Sequence, residues 1–506
     1  MTEGMICLLD KTWKQFKSGT DIRGVALEGV AGEEVTLTDP VLARMADGFV
    51  LWMSAKTGKT PAELTLSVGH DSRLSAQRIK GVLLARLTRA GCRVLDCGLS
   101  STPAMFMTTV DLKADAAIQI TASHHPFDRN GLKFFTPAGG LDSPDITEIV
   151  KLADNGEEII CNRAGVAVKL NYMVKYAARL RKMICDAVGK TEEEKPLSGY
   201  KIAVDAGNGA GGFYATDVLE RLGADISGSQ FLEPDGMFPN HIPNPENEDA
   251  MRSICAAVKN NNADLGIIFD TDVDRAGCVG ADGEEINRNR LIALAAYMVS
   301  GEKGGATIVT DSVTSDGLRE YLENTLNDTH YRYRRGYKNV INKAIELCRD
   351  GINCPLAIET SGHAALRENY FLDDGAYLVT KIVIELARGR DIEKILAPLK
   401  MPAEEAEFRF NINAEDFREY GETVIKKLRE YAEARPDYKT ADDDREGVRI
   451  STENGFFLLR LSVHDPVMPI NFESRVPGGI KRDIAGIADF FKGFDKLDIS
   501  PILLAE

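Results

Sequence analysis

Three aspartates, Asp270, Asp272 and Asp274, follow directly on an apolar run in the segment LGIIFDTDVDRAG. In an extended chain alternate residues point to one side, so the three carboxylates would converge. Two unit charges about 4 Å apart repel by roughly 4 kcal/mol at an effective dielectric near 20, which makes a bound cation the natural partner of such a triplet. An all-oxygen ligand set suits Mg²⁺ or Ca²⁺ rather than zinc. An EF-hand loop would place Gly sixth and Glu twelfth, whereas Arg275 and Ala281 stand at those positions.

A second reactive candidate is Ser123 in ITASHHPFDRNGLK, placed just after the apolar run 116–120. A serine at the end of a buried strand is well placed for nucleophilic attack. A hydrolase elbow is excluded, because Thr121 and His125 occupy the positions where G-x-S-x-G requires glycine. His124 is its sequence neighbour, and neighbours on an extended segment point to opposite faces, so adjacency alone makes no Ser–His pair. Taken by itself the segment reads as a turn. A third cluster, AIETSGHAALRENYFLDDGA, offers Glu359, Ser361 and His363 at alternating spacing. A carboxylate, a hydroxyl and an imidazole can bind sugar hydroxyls, and the imidazole is expected to titrate near neutrality.

These residues need elements to hold them. Short apolar runs followed by polar turns and helix-compatible stretches recur through the first 400 residues, for example 64–68 into GHDSRLSA, 201–204 into DAGNGAGG and 306–309 into TDSVTSDGL. That is the pattern of βα units, whose strands carry ligands at their carboxyl ends. It predicts three consecutive similar α/β domains with mixed, mostly parallel sheets. Polar stretches at 190–198 and 300–305, and a change of character near Met401 and Pro402, set the expected divisions. The domains are 1–195 with the serine loop, 196–303 with the acidic loop, 304–401 with the Glu359 loop, and a smaller α+β domain, 402–506, built of alternating strands and a final amphipathic helix. The acidic run at 442–444 reads as a solvated loop.

With 506 residues, 44% hydrophobic and 27% charged, the chain is of ordinary globular composition. Its 61 basic and 77 acidic side chains leave a net charge of −16. A field of that sign repels nucleic acid and anionic lipid, so neither is an expected partner, and any phosphate must be held by local cations or a metal. Nine cysteines, with no C-x-x-C spacing, argue against a disulfide framework and a zinc site and for a reducing cytoplasm. Glu3 and Asp10 interrupt the first residues, so no secretory signal is read there, and no apolar window reaches the ~20 residues of a membrane span.

Taken together, these segments resemble the α-D-phosphohexomutases, and within them the phosphomannomutase/phosphoglucomutase group. TASHHP with NGLK resembles the phosphoserine loop, DTDVDR the Mg²⁺ loop and ETSGH the sugar-recognition loop. DIRG, GHDSRLS, STPAM, DAGNGAG and PDGMFPNHIPNPE are supporting matches in the family's order. The resemblance implies four domains around a central cleft, and an intramolecular phosphotransferase that interconverts hexose 1-phosphate and hexose 6-phosphate of glucose or mannose. Phosphoserine 123 would donate its phosphoryl group to form glucose 1,6-bisphosphate as intermediate and activator. Mg²⁺ would be held by Ser123, Asp270, Asp272 and Asp274. Lys133 and His363 would exchange protons with the sugar, Arg275 would lie near the transferring group, Arg23 would face the reacting phosphate, and His124 belongs to the same catalytic set. Glu359 and Ser361 would bind sugar hydroxyls, and Arg460, Ser462 and His464 the distal phosphate. Small sugar phosphates are the implied partners, and the chain would be a monomer or homodimer.

Two departures stand out. His125 occupies a position where the family usually has Asn. The anchoring loop, normally R-P-S-G-T-E-P, reads RLSVHDP from Arg460 to Pro466 here, so His464 would replace a hydroxyl donor, and Arg475, Lys481 and Arg482 offer further phosphate ligands. Phosphoglucosamine mutase is an alternative reading, as is a non-catalytic sugar-phosphate-binding homologue. IIFDTDVD also resembles the nucleophile strand of haloacid-dehalogenase-type phosphatases, in which Asp270 would take the phosphoryl group and Asp272 would act as acid and base.

Overall fold

The runs AAIQI and LGIIF are buried along their whole length. Strands buried on both faces require a layer on each side, the arrangement of α/β units. The computed structural model describes residues 13–301, 303–441, 445–462 and 465–505. The chain forms two compact units, residues 1–287 with 361–391, and residues 288–360 with 392–506.

The first unit opens with an eight-stranded sheet: β1 (Lys17–Ser18), β2 (Asp21–Val25), β3 (Thr65–His70), β4 (Arg93–Leu99), β5 (Ala116–Ile120), β6 (Arg129–Thr136), β7 (Gly139–Gly140) and β8 (Ala167–Lys169). The order is β1-β2-β6-β5-β3-β4-β8, with β7 on β6. β5, β3, β4 and β8 run parallel, and β6 is antiparallel to both β5 and β2. The direction therefore reverses at the β5–β6 connection, and this connection carries Ser123. Register places Lys133 opposite Gln119 and Arg23 opposite Gly131, so both basic residues lie on strands next to that loop. Gly131 is required there, because a Cβ would stand 2.1 Å from the Ile22 carbonyl oxygen and 2.7 Å from Arg23 Cδ.

The same unit contains a second mixed sheet, β9 (Ile202–Asp205), β10 (Leu265–Phe269), β11 (Ala276–Gly280) and β12 (Glu285–Ile286), ordered β12-β11-β10-β9. β9 and β10 are parallel and the other pairs antiparallel. Phe269 pairs with Ala276, so residues 270–275 form the closed end of a hairpin. The acidic loop is therefore a turn rather than an extended chain. Val273, buried at its centre, has φ +67°, a left-handed conformation that costs a non-glycine residue about 1–2 kcal/mol. This turn, not strand alternation, brings the three carboxylates together. The strands Ala364–Leu366 and Leu372–Asp373 form an antiparallel pair, followed by the helix Gly375–Ala387, whose cap Asp374 accepts from Tyr377 N.

The second unit has three parallel strands, Thr307–Asp311 flanked by Thr329–Tyr333 and Leu356–Ile358, with helices Arg288–Val299 and Tyr337–Arg349. It also has an antiparallel six-stranded sheet in which Glu404–Ile412 pairs with Val467–Ser474. The helices Phe417–Glu433 and Gly479–Phe491 supply Val424, Leu428, Ile484, Ile487 and Phe491 to its core. Among the described residues, no helix is long and apolar enough to cross a membrane.

Candidate active site

Ser123 follows β5 by three residues, and its backbone has φ +50°. Its N–H donates to Thr121 Oγ1 at 2.8 Å, which tightens the turn. Its hydroxyl donates to Asp270 Oδ2 at 3.1 Å and accepts from Arg275 Nη2 at 2.9 Å. The segment that read as a plain turn thus delivers its serine to the acidic loop, 147 residues further along the chain. The left-handed backbone also overturns the expected opposition of neighbours, since His124 Nδ1 lies 3.4 Å from Ser123 Oγ. His124 is hydrogen-bonded to Arg275 as well. Packing around its ring and then the Arg275 guanidinium push its pKa well below the usual imidazole range, although one side of the residue is open to solvent. Since a guanidinium can only donate, His124 Nδ1 accepts from Arg275, and that lone pair is not free to act as a base for the serine.

Asp270, Asp272 and Asp274 are all buried, with ligand oxygens within 4.8 Å of one another. Burial, then the charges of Asp274 and Asp272, raise the Asp270 pKa well above the carboxylate range. Asp274 moves the other way: against the effect of burial, Lys133, His363 and Arg275 hold it well below. Lys133 Nζ reaches Asp272 Oδ2 at 3.1 Å and also bonds Asp274 Oδ2. Arg275 Nε is 3.2 Å from Asp270 Oδ2. Asp272 Oδ1 and Asp274 Oδ1 are buried with no hydrogen-bond partner, so the triplet has oxygens with which it could hold a metal ion. A phosphoryl group at about −1.5 to −2 on Ser123 would add negative charge beside this acidic cluster, and a divalent ion would offset it.

His363 pairs with Arg275 as an isolated β-bridge and is hydrogen-bonded through Nδ1 to Asp373. Burial alone would lower its pKa, but Asp373 and Asp274 raise it to about 9. This corrects the expectation of titration near neutrality: the imidazolium persists through neutral pH and is lost only as pH rises through about 9. In Asp373→Asn the basic limb of the pH profile of kcat/KM should therefore move down, toward the ~6.5 of free histidine. An unmoved limb would show that His363 does not govern it.

Arg23 bonds the loop from below, donating to the Thr121 carbonyl at 2.5 Å and to Asp21 at 2.7 Å. Thr102, at the start of the helix Thr102–Asp111, gives its N–H to the Asp272 carbonyl at 2.8 Å and its hydroxyl to the Asp272 carboxylate. Asn244 Oδ1 accepts from Arg275 at 3.3 Å. The roles of Asp373, Thr102 and Asn244 escaped sequence reasoning. Each lies inside a quoted motif, FLDDGA, STPAM or PNHIPNPE, but no spacing rule ties it to a partner ten to 170 residues away.

Ser361 belongs to the first unit, and its hydroxyl is buried with no hydrogen-bond partner. In the second unit Glu359 follows the strand Leu356–Ile358 and accepts from Gly336 N at 2.6 Å, while Thr360 donates to Asp311 at 2.7 Å. Arg460 is buried, 3.3 Å from Asn471 Oδ1 and 3.5 Å from Glu407. Ser462 Oγ accepts from Asp465 N at 3.3 Å. His464 and the run 442–444 lie outside the described residues.

On this multidomain α/β scaffold a serine hydroxyl lies between an arginine and a buried acidic triplet, an arrangement that could carry phosphoryl transfer. Three family descriptions match the chain: phosphoglucomutase/phosphomannomutase, alpha/beta/alpha domain I over residues 15–159, domain II over 175–283 and domain III over 287–401. A phosphomannomutase/phosphoglucomutase of Pseudomonas aeruginosa is 27% identical over 91% of this chain and 93% of its own length. A phosphoglucomutase/phosphomannomutase of Thermococcus kodakarensis is 29% identical over 89% and 93%. The crystal structure of a family protein from Burkholderia thailandensis superposes with a TM-score of 0.77 at 27% identity, covering 95% and 97% of the two chains. The chain belongs to the phosphoglucomutase/phosphomannomutase family and is a phosphohexose mutase.

Proposed function

We propose that this mutase interconverts hexose 1-phosphate and hexose 6-phosphate, of glucose or mannose, through a phosphoryl group carried on Ser123. The observation that carries the reading is the position of Ser123 Oγ, 3.1 Å from Asp270 and 2.9 Å from Arg275, in an acidic triplet two of whose buried oxygens have no hydrogen-bond partner. Mg²⁺ is the proposed ion, held by Asp270, Asp272, Asp274 and the phosphoryl group on Ser123; when bound it supplies neutralisation of the phosphoryl charge. In the first half-reaction a sugar hydroxyl oxygen bonds to phosphorus as the Oγ–P bond of Ser123 breaks. Arg275 stabilises the charge growing on Oγ, and the cations His363 and Lys133 are proposed to give up a proton toward Oγ as they take up the one released by the sugar hydroxyl, so both end the half-reaction in the charge state in which they began. The bisphosphate then returns its other phosphoryl group to Ser123, and the proton runs the opposite way, with imidazolium His363 as donor to the sugar oxygen.

Glu359 and Ser361 are proposed to bind sugar hydroxyls, and Arg460 and Ser462, with His464, the distal phosphate. The four-part division at 195, 303 and 401 and a cytoplasmic location complete the reading. An aspartyl phosphatase would leave Ser123 and Arg275 without a task, and a binding protein would need no nucleophile. The test is conversion of glucose 1-phosphate and mannose 1-phosphate with Mg²⁺ and a trace of bisphosphate. Turnover to the 6-phosphates that depends on the bisphosphate supports the mutase, whereas release of inorganic phosphate, or no turnover, overturns it. The ratios of kcat/KM among glucose, mannose and glucosamine phosphates then give the sugar preference.

A further inference from the structure

The geometry points to Arg73 as the positioning residue that holds the serine loop in its reactive shape, an inference that rests on the phosphoserine reading above. Arg73 lies in GHDSRLS, just past β3, and its side chain is completely buried. Its Nη1 donates to the carbonyls of Pro126 at 2.6 Å and Arg129 at 2.9 Å. Its Nη2 donates to the carbonyl of Ser123 at 2.5 Å and to that of His125. Three carbonyls of the connection and that of Arg129, the first residue of β6, thus converge on one planar cation. Asp71 aims it, accepting from Arg73 N at 2.9 Å and lying 3.5 Å from Nε.

This gathering accounts for a conformation the loop would not adopt by itself. Ser123 has φ +50°, a region few side chains occupy unless their surroundings impose it. In that conformation its hydroxyl meets Asp270 and Arg275. In a trans peptide the carbonyl and the next N–H point opposite ways, so drawing the Ser123 carbonyl to Arg73 also turns His124 N–H away from it. The peptide after the nucleophile is held by one guanidinium nitrogen, and the exit of the loop by the other. Lysine is a point donor and cannot hold two pairs of carbonyls in a plane. Arg73 touches none of the reacting atoms, and its role is exerted through the backbone of Ser123.

The test compares Arg73→Lys and Arg73→Gly with wild type in the full chain. In folded Arg73→Lys, kcat should fall by about 10²-fold, the loss expected for a reactive group misplaced by about 1 Å. KM for the sugar phosphate should stay within about twofold, because none of the groups proposed to bind the sugar is touched. Millimolar methylguanidine should restore Arg73→Gly by about tenfold or more and leave wild type unchanged, as a guanidinium refills the vacated fork. A folded Arg73→Lys with wild-type kcat overturns the inference. So does a loss of kcat that only follows the fraction of folded protein with no rescue by methylguanidine. Labelling separates the two readings: with labelled bisphosphate, wild type should take label on Ser123 and Arg73→Lys should take it slowly. Label absent from wild type sinks the phosphoserine reading and this inference with it, whereas equal labelling rates in both proteins sink the role of Arg73 alone.

Discussion

Ser123→Ala is expected to lower kcat by roughly 10⁴-fold or more, equivalent to about 5.5 kcal/mol of lost transition-state stabilisation, while the protein remains folded. The size follows from the role: among the described residues it is the Ser123 hydroxyl that bonds both Asp270 and Arg275, and a carrier of the phosphoryl group cannot be replaced by a methyl group. Stability should change little, because the removed oxygen bonds only side chains of the site and the loop keeps the contacts of its carbonyls. The control is KM, which should remain near the wild-type value where residual turnover is measurable, since the serine is not among the groups proposed to bind the sugar. Steady-state kinetics together with thermal unfolding check both halves. A variant that retains a tenth of wild-type kcat would mean that phosphoryl transfer does not pass through this oxygen.

The second large effect concerns the acidic loop. Chelation of divalent ions should reduce kcat by about 10³-fold or more, with full recovery on adding excess Mg²⁺. In Asp272→Asn the half-saturating Mg²⁺ should rise by about 10–100-fold or more, because one of the two vacant carboxylate oxygens is lost outright. The pH dependence has a definite sign. Burial and its two acidic neighbours raise the pKa of Asp270, so this carboxylate takes up a proton as pH falls, before an ordinary aspartate would. Metal affinity must therefore weaken on acidification, since the ion binds only the ionised form. Titration of Mg²⁺ against activity at several pH values measures this, and an affinity independent of pH would remove Asp270 from the ligand set.

Much of the scaffold was legible in the chain. The runs 64–68, 201–204, 265–269 and 306–309 announce strands because contiguous apolar residues can be buried only between layers, and they appear within one or two residues of the expected starts. The carboxylate triplet was legible too, but for a partly mistaken reason. Convergence comes from a hairpin turn with Val273 in a left-handed conformation, a backbone state no side-chain pattern reveals. The same applies to Ser123 and His124, which alternation would separate and a positive φ brings to 3.4 Å. The titration of His363 was misjudged because its partner, Asp373, is set by the pairing of two short strands rather than by spacing along the chain. Arg73 shows the limit most plainly. Its motif was noticed, yet its work is done on four carbonyls, and carbonyls are carried by every residue alike.

The most direct measurement is to quench the enzyme after exposure to sugar bisphosphate labelled in its phosphoryl groups, digest it, and locate the label. The account predicts label on Ser123, stable to hydroxylamine and discharged when unlabelled hexose phosphate is added. Label on Asp270 released by hydroxylamine, or an enzyme that turns over without acquiring any label, would contradict it.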